Sequence, residues 1–146
     1  LVFGTLHTRG AAQSIDRIID AHPSENQTQI RHALSDTLKA VVSQELIRAA
    51  DGRGRRAALE ILVVTLAVQQ MIREGKTFQI AGAITTGKRL GMQLMDQSLL
   101  ALVRAGEVDP DEAFLRAEDK WGFAPCVTRP ELLALVTGNV SGERAA

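Results

Sequence analysis

The chain opens on a short apolar run, Leu1-Val2-Phe3-Gly4-Thr5-Leu6, that ends abruptly in a polar pair, His7-Thr8. Such a run suits a buried strand, and in open α/β sheets ligands sit outside the carboxyl ends of strands. The plainer alternative is a strand that surfaces and turns, with its histidine merely solvated. A helix is predicted from Gly10-Ala11, with Ala11, Ile15, Ile18, Ile19 and His22 on one face and Asp16, Arg17 and Asp20 opposite. Pro23 stops it. Ser24 then reads as the N-cap of a second helix, with Gln27 in capping-box position, burying Ile30, Ala33, Leu34 and Leu38 and running to about Ala40. Val41 to Ile47 and Ala58 to Val64 read as strands. Asp51-Gly52 and Gly54 between them signal a hairpin turn.

From Thr65 the period becomes helical. Thr65 can cap a helix that turns Val68, Met71 and Ile72 inward and ends at Gly75. Phe78, Ile80, Ala81 and Ile84 belong to the next short helix, closed by Gly87. Leu94, Met95, Leu99, Leu102 and Val103 line a longer one, stopped at Gly106. Asp109-Pro110-Asp111-Glu112 combines a cap, a proline at N1 and a glutamate at N3, with Ala113, Phe114 and Ala117 facing in. Trp121-Gly122-Phe123-Ala124-Pro125 breaks that helix. A last helix from Pro130 to Val136 precedes a tail, Gly138 to Ala146, expected to be mobile.

The front half is thus α/β and the back half a helical cluster. Three strands cannot make a two-sided parallel core without partners, so the sheet is incomplete. An apolar run that begins at Leu1, with no initiator methionine or leader, also implies sequence on the N-terminal side.

Composition narrows the function classes. Seventeen basic and seventeen acidic side chains cancel, which argues against a nucleic-acid footprint or a polybasic membrane anchor. Aromatics are 3% of the chain, too few for stacking on single strands. No apolar run approaches the roughly 18 residues of a membrane span. Cys126 is the only cysteine, which excludes an internal disulfide and a multi-cysteine zinc site and fits a reducing compartment.

Candidate chemistry is thin. Gly82-Ala83-Ile84-Thr85-Thr86-Gly87-Lys88-Arg89 comes within one residue of the phosphate-loop pattern, but Arg89 stands where a hydroxyl must reach magnesium. The spacing before it is that of a helix face, so a helix C-cap is the better reading. His7, His22 and His32 show no metal spacing, and no serine has a recognisable adjacent base. Arg48, Arg53, Arg55 and Arg56 crowd the hairpin tip. They could grip a phosphate or carboxylate, or be a solvated tip, which is preferred. Glu60 sits mid-strand among apolar neighbours and is read as facing outward, since a core-facing carboxylate needs a partner.

Taken together, the residues resemble the second half of the motor domain of the type IV pilus retraction (twitching-motility, PilT-like) ATPases, a branch of the secretion ATPases. Leu1 to Thr8 matches that family's histidine box, and Ile15-Asp16-Arg17-Ile18-Ile19-Asp20 with Pro23 matches the segment that trails it. Ala67-Val68-Gln69-Gln70-Met71-Ile72-Arg73-Glu74 falls where the retraction branch carries A-I-R-N-L-I-R-E. Leu90-Gly91-Met92-Gln93-Leu94-Met95-Asp96-Gln97-Ser98-Leu99 resembles its late G-M-Q-x-x-D stretch. The likeness covers about residues 1 to 117 in order.

The resemblance implies an α/β fold, the C-terminal part of a RecA-like P-loop NTPase domain, followed by a helical cluster. Residues 1–64 would close the RecA-like core, 65–120 would form a helical subdomain, and 121–146 an extension with a short helix and tail. It implies an ATPase that drives pilus retraction as a homo-hexamer, on the cytoplasmic face of the inner membrane and against platform proteins there, without inserting into the membrane or binding nucleic acid. ATP and Mg2+ would be held by residues outside this stretch, leaving it inactive alone. His7 would sense or couple to the γ-phosphate rather than act as general base. Thr8, Arg17, Ala67, Ile72, Arg73 and Glu74 would be interface or coupling residues.

Departures from the family pattern fall on work output rather than hydrolysis. Gln69 replaces an arginine, Gln70 an asparagine, and Arg9 stands where a small polar residue is common. A secretion or pilus-assembly motor is the nearest rival, but it would normally carry a four-cysteine zinc module that Cys126 cannot supply. A non-enzymatic helical interaction module on a motor scaffold is the reading from another class, with the basic tip and Trp121-Phe123 as its contacts.

Overall fold

In the computed structural model, residues 1–137 are described. The tail from Gly138 to Ala146 lies outside them. Ten α- and β-elements follow one another: α1 (Ala11–Asp20), α2 (Ser24–Thr37), β1 (Ala40–Arg48), β2 (Arg55–Val63), α3 (Leu66–Arg73), α4 (Ile80–Thr86), α5 (Met95–Arg104), α6 (Pro110–Arg116), α7 (Lys120–Phe123) and α8 (Pro130–Thr137). The chain divides into two compact units, one of residues 1–44 and 59–95, the other of 45–58 and 96 onward.

In the first unit, α1, α3 and α4 bury one apolar stripe each around Leu62 of β2. Ala11, Ile15, Ile19, Val68, Ile72, Ile80, Ile84 and Met92 form this core, with Ile30, Leu34 and Leu38 packed against it. The face expected of α1 is the one buried, except that His22 is exposed beyond the helix end. α2 is less amphipathic than expected: Ser35 is its buried residue, while Ala33 is exposed. Ser24 is the first helical residue rather than the cap. Pro23 takes the cap position, where it has no side-chain acceptor to offer.

β1 and β2 pair as an antiparallel hairpin, with bonds from the Val64 amide to Lys39 O and from the Ala49 amide to Gly54 O setting the register. That register puts Ser43, Ile47, Ala58, Glu60 and Leu62 on one face. Leu1 to Thr8 forms no strand. β1 and β2 pair with each other, and a strand exists only where a neighbouring backbone accepts its hydrogen bonds. Leu1, Val2 and Phe3 stand almost fully in solvent.

The local caps behave as their sequence dictates. Thr65 Oγ1 accepts from the Val68 amide at 3.4 Å and starts α3. The near phosphate loop is α4 itself, with Gly87 as its C-cap and Lys88–Leu90 a following 3-10 turn. Phe78, expected on the inward face, is 77% exposed because it falls in the 3-10 turn before α4.

The second unit buries Leu99, Val108, Ala113, Phe114, Ala117 and Phe123, together with Ile47 and Ala58 of the hairpin. Asp109 caps α6 by accepting from the Asp111 and Glu112 amides. Asp96 accepts from the Glu118 and Asp119 amides at 3.0 and 2.8 Å. Trp121 to Phe123, expected as a break, is the one-turn helix α7, because Asp119 caps it at Gly122. Lys120 lays its ammonium on the last carbonyls of α6, at 2.7 Å from Phe114 O and 2.9 Å from Leu115 O.

Asp111 is the most buried acid among the described residues, at 3% exposure, and it gathers the segment before α8. Its carboxylate accepts from the Thr128 amide at 2.7 Å, the Thr128 hydroxyl, the Arg129 amide and Arg129 Nε at 3.0 Å. The Thr128 hydroxyl, opposed by burial and aided by the Thr128 and Arg129 donors, holds its pKa down from 3.8 to about 2. A folded-state value below the unfolded one means that stabilisation is complete above about pH 4 and fades as pH falls toward 2. Denaturant titrations of the wild type will therefore show an acid loss of stability between pH 4 and 2 that Asp111→Asn flattens.

Candidate functional site

α1 begins at a glycine, and that sets the local problem. The first amides of a helix have no partner within it, and Gly10 has no side chain to offer them. Gly10 sits at φ 84 and ψ 163, a conformation open essentially to glycine alone. The acceptor comes from 49 residues along the chain: Glu60 Oε1 takes the Ala11 amide at 2.7 Å. Its Oε2 takes the Met95 amide at 3.4 Å. A Cβ on Gly10 would lie 3.2 Å from Glu60 Oε1, so carboxylate and glycine are in direct contact.

Glu60 therefore does not face solvent, contrary to the sequence expectation. It points to the inner face of β2, and its partners are backbone amides rather than an arginine. It also fills the positive end of α1, where an anion would otherwise be welcome.

A second tie joins the opening segment to the same helix. Ser14, buried in α1, donates to Gly10 O at 2.8 Å, and Thr8 Oγ1 lies 2.8 Å from Ser14 Oγ. With the Ser14 proton on the carbonyl, Thr8 is the donor between the two hydroxyls. The Arg9 amide donates to Gln13 Oε1 at 3.3 Å. Thr8 is half-buried in this turn and His7, next to it, is exposed. Arg17 lies on the exposed side of α1.

The other sequence candidates fall on α3. Ile72 is fully buried in the core. Arg73 reaches α2, its Nε donating to the buried Ser35 hydroxyl at 2.9 Å and its Nη2 to Asp36 Oδ1 at 2.7 Å. Ala67 and Glu74 are exposed. Glu74 pairs with Lys76 at 2.7 Å and accepts from the Gln70 amide, and these contacts, Lys76 first, lower its carboxyl pKa. Two of the four residues kept from the family motif thus hold the helix to its neighbours, and two are presented outward.

Glu60, Ser14 and Asp111 were not singled out by sequence as site or network residues. A helix start at glycine with a lone mid-strand carboxylate elsewhere is the signal that links Gly10 to Glu60.

These residues do not by themselves fit a magnesium nucleotide. The near phosphate loop is helical, and among the described residues no three His, Cys, Asp or Glu side chains could hold a metal ion. Among them, too, no helix is long and apolar enough to cross a membrane.

The fold matches one part of a motor ATPase. The structure of the pilus retraction motor PilT with bound ADP matches at a TM-score of 0.71 and 36% identity, over 82% of this chain and 33% of that one. The chain belongs to the family of type IV pilus retraction (twitching-motility, PilT-like) ATPases. It is 50% identical over 119 residues to a twitching motility protein of Neisseria gonorrhoeae, covering 82% of this chain and 32% of that protein. It is 46% identical over 118 residues to the type IV pilus retraction ATPase PilT of Pseudomonas aeruginosa, covering 81% of this chain and 34% of that one. The chain thus spans about a third of the length of the relatives it matches. No protein-family profile matches it.

The α3 geometry makes a stability prediction. Arg73→Lys removes the fork that binds Ser35 and Asp36 together, and should cost about 1 kcal/mol in denaturant unfolding. Gln70→Asn, an exposed change toward the family residue, should stay within about 0.5 kcal/mol.

Proposed function

We propose that these residues are part of an ATP-driven motor that powers type IV pilus retraction. The observation that carries this reading is identity of 46 to 50% over 118 to 119 residues with a retraction ATPase and a twitching motility protein. The motor works as a homo-hexamer on the cytoplasmic face of the inner membrane, against the pilus platform proteins. The triphosphate and Mg2+ are held by parts of the protein outside this stretch, so the 146 residues alone do not turn over ATP.

His7 is the side chain by which this stretch meets the nucleotide. An exposed imidazole can donate a hydrogen bond and respond to a change in charge nearby. The half-buried Thr8 and the tight turn into α1 behind it favour a fixed direction for that ring. Ala67 and Glu74, on the outward side of α3, serve as coupling contacts, while Ile72 and Arg73 hold that helix in place.

In the full-length protein, His7→Ala should lower ATP turnover about tenfold or more while a fluorescent ADP analogue binds within about twofold of wild type. Phosphate release and fluorescence titration read the two quantities. Unchanged turnover in His7→Ala would remove the role given to His7, and a full-length protein without ATPase activity would remove the motor reading.

A further inference from the structure

We propose that Glu60 is the positioning residue of the His7-Thr8 pair, an inference that rests on the motor reading above. Its carboxylate supplies from β2 the helix cap that Gly10 cannot, and so fixes the direction in which the chain leaves Thr8 and enters α1.

The geometry is specific. One oxygen of Glu60 holds the Ala11 amide at 2.7 Å and the other the Met95 amide at 3.4 Å, so both are in use and the side chain has one orientation. The Gly10 backbone lies against that carboxylate too closely for a side chain to intervene. Thr8 is bound in turn to Ser14, in the first turn of α1. The position of His7 is therefore inherited from the start of α1, and the start of α1 is set by Glu60. On the face of β2 that it shares with the buried Leu62 a carboxylate carries a desolvation cost, and charge-assisted bonds to amides at a helix start offset it. A neutral amide side chain in its place turns a donor toward a donor on one of the two amides.

The test uses the full-length ATPase with Glu60→Gln, His7→Ala and the double variant. Glu60→Gln should lower kcat about tenfold with KM and ADP-analogue binding within about twofold, and it should speed hydrogen exchange in the peptide spanning residues 9–14. In the His7→Ala background, Glu60→Gln should have no further effect on kcat, because the two substitutions act on one element. If Glu60→Gln instead slows the His7→Ala enzyme by the same factor as the wild type, its role is general stability and the inference falls. Equal exchange in peptide 9–14 with and without the substitution overturns it as well. Should Glu60→Gln not fold, Ser14→Ala cuts the Thr8 tie together with the Ser14 bond to Gly10 O while leaving Glu60 in place, and the same non-additivity with His7→Ala is required. Unchanged turnover in His7→Ala marks failure of the role given to His7 rather than of the Glu60 contact, which the exchange in peptide 9–14 still decides.

Discussion

A helix that starts at glycine must find acceptors for its first amides elsewhere in the chain, and this requirement organises the first unit. Glu60 meets it across 49 residues of sequence. The consequence reaches beyond one hydrogen bond. Gly10 can hold φ 84 only because it has no side chain, and it can have no side chain only because another residue does the capping. The apolar stripe of α1 then lands on Leu62, two residues from Glu60 on the same face of β2, so the cap and the core contact come from one strand. Burial of Ile15 and Ile19 supplies the attraction, and the carboxylate fixes where along the strand the helix begins.

The same device recurs with different partners. Asp96 receives the amides that lead into α7, Asp109 and Asp119 cap the helices that follow them, and Asp111 gathers Thr128 and Arg129. The second unit thus adds acid-to-amide bonds at the starts of its short helices to the burial of Phe114 and Phe123. Arg73 does the reverse work on α3, presenting a cationic fork to the hydroxyl and carboxylate of Ser35 and Asp36. A guanidinium in that position holds α3 to α2, and it leaves Ala67 and Glu74 as the exposed members of the stretch.

What was legible in the sequence is what is local. Thr65, Asp109 and Gly87 announce their helix ends because cap and helix are adjacent in the chain. The hairpin follows from Asp51-Gly52 between two alternating runs, and the rejection of Gly82 to Arg89 as a phosphate loop follows from helical spacing. The family pattern in Leu1 to Thr8, Ala67 to Glu74 and Leu90 to Asp96 gave the motor fold. What was hidden is non-local. Glu60 looks like a solvated strand residue until Gly10 is set beside it, and Asp111 looks like an ordinary first-turn acid until Thr128 folds back. Leu1 to Leu6 has the composition of a strand, but composition does not provide a neighbour to pair with. Trp121 to Phe123 turned helical because Asp119, one position before the helix start at Lys120, caps them.

That opening segment has a practical meaning. Its apolar side chains lie in water beside peptide groups with no sheet to join, which is the chemistry of a sticky edge rather than of a spare loop. A neighbouring strand would gain both ladder bonds and buried hydrocarbon by docking there, and at high concentration a second molecule offers the same reward. The exposed hydrocarbon of Leu1, Val2, Phe3 and Leu6 thus favours self-association at high concentration.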